Sequence, residues 1–208
     1  MAMVWAGALS RHYGGSDIQA QRLRAGVEAW RRDLLAAVAD KVRAAIGWDE
    51  GSAAILPVDL GAAGWSGLRL FAFYAEQTHL EMPDTVPALL ELDPAWRAAA
   101  DGKFANSRYG HLLACGVWLP GDVPVTLRAP MPDGSSAEIG SLAVLQDQLR
   151  FLNARTFQAD PEAVAGWEQE PAPAGGDLLA AAQRGLAAML RAAAFATAHG
   201  VPLLVIES

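Results

Sequence analysis

Apolar residues recur at Leu23, Val27, Trp30, Leu34, Val38, Val42 and Ile46, three or four positions apart. That spacing draws a single apolar stripe along a helix. It predicts a long amphipathic helix that opens after Gly14-Gly15-Ser16, with Ser16 or Asp17 as its cap, and stops at Gly47. Arg24, Glu28, Arg31 and Arg32 fall off the stripe, as a solvated face requires.

Strand-like text follows. "AAILPVDL" (53–60) is a weak candidate, and "LRLFAFYA" (68–75) reads as a strand buried on both faces. Asp93-Pro94 and Asp160-Pro161 each start a helix, with Asp as cap and Pro in the first turn, and Gly102 closes the first of them. Between these starts, "GHLLACGVWLP" (110–120) reads as a strand. "VPVTLRAP" and "SAEI" flank the turn Pro132-Asp133-Gly134 as an antiparallel hairpin. Ser141 caps a helix whose stripe is Leu142, Leu145, Leu149 and Leu152. "EQEPAPAGG" (168–176) is the one candidate linker. An Ala-rich helix then runs to Gly200 and a last strand, "VPLLVIES".

Strands come in clusters rather than alternating with helices. The expectation is therefore α+β. Residues 1–208 form one domain, with helices packed on a mixed, largely antiparallel sheet. The long amphipathic helix lies near the start, and a buried Ala-rich helix precedes the final strand.

Composition narrows the class. About half of the 208 residues are apolar, 19% are charged, and the formal charge is −7. This excludes disorder and argues against nucleic acid as a partner, which needs a basic face. Abundant alanine and a preference for arginine over Lys41 and Lys103, the only lysines, fit a GC-rich bacterial genome. One cysteine excludes an internal disulfide. "MAMVWAGALSRHY" lacks the charged opening of a signal peptide. Arg184 and Arg191 interrupt the Ala-rich segment, each costing about 2.5–3.5 kcal/mol at a bilayer centre. The expected address is the cytoplasm, with no membrane association.

The chemistry candidates are few. Cys115 follows His111 by four positions, a spacing that would stack the two side chains on a helix. On a strand it holds them roughly 13 Å apart, at about 3.3 Å per residue. Gly110, Gly116 and Pro120 favour the strand, so Cys115 reads as a buried structural thiol. His79-Leu80-Glu81 resembles a fragment of a zinc deaminase motif, whose metal needs two further cysteines. Gly64-Trp65-Ser66-Gly67 lacks the final glycine of a nucleophile elbow. His12, His79, His111 and His199 are scattered, and no cofactor or metal motif occurs.

Charge is unevenly spread. Glu76, Glu81, Asp84, Glu91, Asp93 and Asp101 face one base, Arg97; Asp160, Glu162, Glu168, Glu170 and Asp177 face none. Each zone contains a tryptophan, Trp96 or Trp167. These features lead us to expect a non-enzymatic, protein-binding domain of the immunity or antitoxin type that sequesters a basic partner. Its expected contacts are Glu81, Asp84, Trp96, Glu162, Trp167, Glu168 and Glu170. The competing expectation is a small-molecule enzyme or ligand-binding domain with a pocket near His79, Glu81, Tyr109 and His111.

Overall fold

The computed structural model describes residues 2–169 and 176–207. In chain order they form β1 (Ala2–Gly7), α1 (Leu9–Gly14), α2 (Asp17–Ala36), α3 (Asp40–Ala45), β2 (Ile55–Gly61) and α4 (Gly64–Tyr74). Then come α5 (Pro94–Asp101), α6 (Gly110–Ala114), β3 (Val117–Leu119), β4 (Leu127–Pro130), β5 (Ser136–Ser141) and α7 (Leu142–Arg155). The remaining elements are α8 (Pro161–Gln169), α9 (Leu178–His199) and β6 (Leu203–Glu207). The sheet order is β2-β1-β6-β3-β5-β4. Only β3 and β5 run parallel; the other neighbours are antiparallel. The protein is α+β, with a mixed, largely antiparallel sheet.

Both faces of this sheet are covered, because its strands alternate apolar residues between the two sides. Ala2, Val4, Ala6, Val58, Leu60, Trp118 and Leu203 face a core shared with α4, α6, α7 and α9. Val117, Leu119, Ile139 and Leu204 face a smaller core closed by Leu9, Val27, Leu34 and Trp48. The candidate linker 168–176 lies outside the described residues apart from its ends.

Local caps behave as the residues dictate. Asp93, Ser141 and Asp177 accept from the backbone N–H of Trp96, Val144 and Ala180, and Gly200 closes α9 at φ 59°. The Leu142–Leu152 stripe is fully buried. β4 and β5 pair around Pro132-Asp133-Gly134 as expected.

Three expectations are corrected. Residues 68–75 are not a strand; 68–74 belong to α4 and Ala75 is its C-cap. The glycine punctuation at Gly67 hides the true start at Gly64, and an all-round apolar run does not distinguish a strand from an enclosed helix. A Cβ on Gly185 would overlap the Gly64 carbonyl, so α4 and α9 meet backbone to backbone through glycine. Second, the stripe from Leu23 to Ile46 is two helices, α2 and α3. Arg43 turns back to donate to the Leu35 carbonyl at 2.8 Å and to the Val38 carbonyl at 3.3 Å, satisfying groups that the break exposes. Third, residues 110–114 are helical, and only 117–119 form the strand. The leading segment, to which the sequence pattern assigned no element, holds β1, which lies inside the sheet between β2 and β6.

Candidate functional site

His111 and Cys115 sit one helical turn apart, since the Cys115 N–H donates to the His111 carbonyl at 3.3 Å. Both side chains crowd Gly140, where a Cβ would come within 2.9 Å of His111 Nδ1 and 3.0 Å of Cys115 Sγ. They do not form a nucleophile and base. His111 Nδ1 accepts from the Ser141 N–H at 3.0 Å. Its Nε2 faces the Pro124 carbonyl, short of a well-formed hydrogen bond, and burial lowers the imidazole below its ordinary value. Cys115 is buried, and burial, reinforced by Glu138, pushes the thiol up to about 12. A thiol that stays protonated is a poor nucleophile.

The other isolated signals also have local explanations. His199 packs on Phe195 in the last turn of α9, its ring tilted 45° at 4.3 Å between centroids. His12 lies between Trp5 and Tyr13. His79 is exposed. Among the described residues, no group of His, Cys, Asp or Glu is arranged to hold a metal ion. No described helix is long and apolar enough to cross a membrane. Ser66 lies inside the first turn of α4, and no hydrogen bond joins its side chain to a described residue.

The expected partner-binding residues are distributed unevenly. Glu81 and Asp84 are exposed on the segment between α4 and α5. Trp96, by contrast, is 2% exposed; it packs on Phe104 at 4.8 Å and on Phe73 at 5.9 Å. The Arg69 guanidinium covers its face at 4.9 Å, which leaves Trp96 no surface to offer a partner. Trp167 is half-buried against Phe157 at 5.2 Å. Glu168 pairs with Arg191 at 3.2 Å, and Glu162 is exposed in the first turn of α8. Glu170 lies outside the described residues.

The two acidic zones touch at one place. Thr85 bridges to Asp177, the Leu178 N–H donates to the Asp84 carbonyl at 2.9 Å, and the Val86 N–H donates to the Gly176 carbonyl at 2.8 Å. Asp84 is thereby held against the start of α9. Residues 80–92 also expose Leu80, Met82, Leu89 and Leu92, and α9 contributes exposed Leu179 nearby. Glu81, Asp84 and Glu91 join no ion pair among the described residues. The four leucines and Met82 were missed in the sequence because their spacing is irregular, so no stripe marks them as a face.

The pocket expected around His79, Glu81, Tyr109 and His111 is not assembled. Tyr109 instead lines a cleft of about 640 Å³ between the end of α4, α5, the 102–109 loop and α7. His111 lines a separate recess of about 280 Å³, and His79 and Glu81 line neither. Glu76 anchors the cleft's loop by accepting from Ser107 Oγ at 2.5 Å and the Arg108 N–H at 2.8 Å.

Comparison of the chain with protein-family models, with curated proteins and with solved structures gives no match.

Proposed function

We propose that this chain is a non-enzymatic bacterial, cytosolic protein-binding domain that sequesters a basic partner through acidic surface, as an immunity or antitoxin-type inhibitor does. One observation carries the reading: the exposed carboxylates of Glu81, Asp84 and Glu91, in no described ion pair, are interleaved with exposed Leu80, Met82, Leu89 and Leu92. A lone surface leucine is ordinary. Here one segment and the adjoining start of α9 hold five of the nine large apolar side chains exposed among the described residues. Concentrated apolar surface rimmed by charge is characteristic of binding faces.

The division of labour follows from the chemistry. Unpaired carboxylates attract a basic protein over a Debye length and raise its association rate. Leu89 and Leu92, 62% and 66% exposed, supply the apolar contact that Trp96 cannot. Glu162 on α8 contributes long-range charge, whereas Glu168 is neutralised by Arg191.

The test is a tagged pull-down from the source organism, washed at low and high salt, alongside the variant Glu81→Lys/Asp84→Lys/Leu89→Ser/Leu92→Ser. All four side chains are exposed or on the surface segment, so the fold should survive. A stoichiometric basic protein that is released by salt and lost with the variant is the expected result. Retention unchanged by the variant removes this surface, and capture of no protein removes the reading.

A further inference from the structure

The cleft beside Tyr109 has the composition of a ligand site. Its volume lies in the range that accommodates small molecules. One wall is aromatic: Phe73, Phe104 and Tyr109 are buried, while Phe151, 40% exposed, stands 6.1 Å from Tyr109 with its ring tilted. Polar side chains share the lining, with Thr78, Asn106 and Thr156 beside Arg108 and Arg155.

Three features separate this cleft from ordinary surface. First, Arg108 and Arg155 are exposed and form no ion pair among the described residues, in a chain whose formal charge is −7. Second, Tyr109 is 2% exposed as a whole, but its hydroxyl oxygen is not sealed from solvent and bonds to no described residue, so it is free to donate into the cleft. Burial and the Glu76 charge both raise this phenol, so it remains a donor at neutral pH, although Arg155 and Arg108 pull the other way. Third, Lys103 and Phe104 adopt successive left-handed conformations, φ 53° and 51°. Neither is glycine, so the loop is strained where it places the Phe104 ring in the wall.

We infer that this cleft binds a small aromatic carboxylic acid, its ring against Phe151 and Phe104 and its carboxylate received by Arg108, Arg155 and the Tyr109 hydroxyl. Two guanidinium groups against the single Glu76 carboxylate leave the lining one positive charge in surplus. A monoanion neutralises that surplus, whereas a phosphate dianion would leave the occupied site net negative. Planar guanidinium groups suit a carboxylate, and the hydroxyl adds a neutral donor. The site is independent of the acidic surface between α4 and α5.

The probes are phenylacetate, indole-3-acetate and 1-naphthoate, each with its primary amide as an uncharged control. Binding is followed by ligand-observed saturation-transfer NMR and calorimetry on the full chain. At least one carboxylate should saturate the protein below millimolar concentration, with its amide at least tenfold weaker. Arg155→Gln and Arg108→Gln alter exposed side chains and should each weaken binding at least fivefold without shifting the melting temperature. Tyr109→Phe should weaken it too, and any loss of stability there leaves the arginine variants decisive. Inorganic phosphate up to 10-fold excess should not displace the carboxylate (about one decade of competition). The inference is overturned if no carboxylate binds, if the amides bind equally well, if both arginine variants keep wild-type affinity, or if phosphate competes.

Discussion

Glu50 is a buried carboxylate whose removal should be felt across the smaller core. It is 4% exposed, and its two oxygens accept three hydrogen bonds. Oε1 receives the Leu9 N–H at 3.1 Å and Trp48 Nε1–H at 2.6 Å; Oε2 receives the Ser10 N–H at 2.9 Å. The first and third donors are unpaired amides at the start of α1, so the carboxylate supplies the cap that Ala8 lacks. A hydrogen bond to a charged group contributes roughly 1.5–3 kcal/mol net, so three set an upper range of about 4–9 kcal/mol. Glu50→Ala also opens space for water, which restores part of that. The expected loss is about 3–5 kcal/mol, or a fall in Tm of roughly 6–20 °C for a chain of this size. Glu50→Gln keeps Oε1 for two donors but turns an NH2 toward the Ser10 N–H, so it should cost about 1–3 kcal/mol. Urea and thermal unfolding at pH 7, followed by circular dichroism, measure both. The reasoning fails if Glu50→Ala lies within about 1 kcal/mol of wild type, or if the glutamine variant is the less stable of the two.

Arg69 is sandwiched between Trp65 at 5.2 Å and Trp96 at 4.9 Å, and it donates through Nε and Nη2 to the Leu113 carbonyl at the end of α6. Arg69→Ala should cost about 2–4 kcal/mol in urea unfolding, and Arg69→Lys should recover less than half, since an ammonium cannot form the same fork. Cys115 should resist a thiol reagent at pH 8 in the native protein and react promptly in 6 M guanidinium (a concentration beyond most unfolding midpoints); rapid native labelling would contradict its enclosure and raised pKa. His12 and His111 are both depressed by burial. The unfolded chain therefore binds more protons than the folded one at and below pH ~6.5, the ordinary histidine value, and stability falls as pH drops through that region. His111→Asn, whose carbonyl can still accept from Ser141, should flatten that fall between about pH 7.5 and 5.5; an unchanged slope in thermal melts would assign the dependence elsewhere.

What was legible in the sequence was what is encoded locally. Asp93-Pro94, Asp160-Pro161, Ser141 and Gly200 mark helix ends because a cap is made by neighbours in the chain. The Leu142–Leu152 stripe is readable because one side of α7 is buried and the other is wet. The misreadings share the opposite property. α4 is enclosed by α9, the sheet and the aromatic cluster, so its periodicity disappears. The stripe through Val38 keeps its spacing across a break that no glycine or proline announces, and what stabilises the break is Arg43, several residues further on.

The same distinction explains why the candidate sites were only half legible. Counting charges locates the acidic stretch around Glu81 and Asp84, but it assigns Trp96 to the surface because a tryptophan two residues into a capped helix can face either way. Three partners distant from it in sequence or fold, Arg69, Phe73 and Phe104, decide that it faces in. Once Trp96 is enclosed, the exposed apolar surface on this segment is that of Leu80, Met82, Leu89 and Leu92, which have no periodic signature. Tyr109 carries the argument in the other direction. In the sequence it immediately precedes a strand-like run that begins beside His111; in the fold it lines the cleft with Glu76, Arg108 and Arg155 instead of joining His111. Those three groups come from three separate elements, which is why no local pattern in the sequence marks the cleft they share with Tyr109.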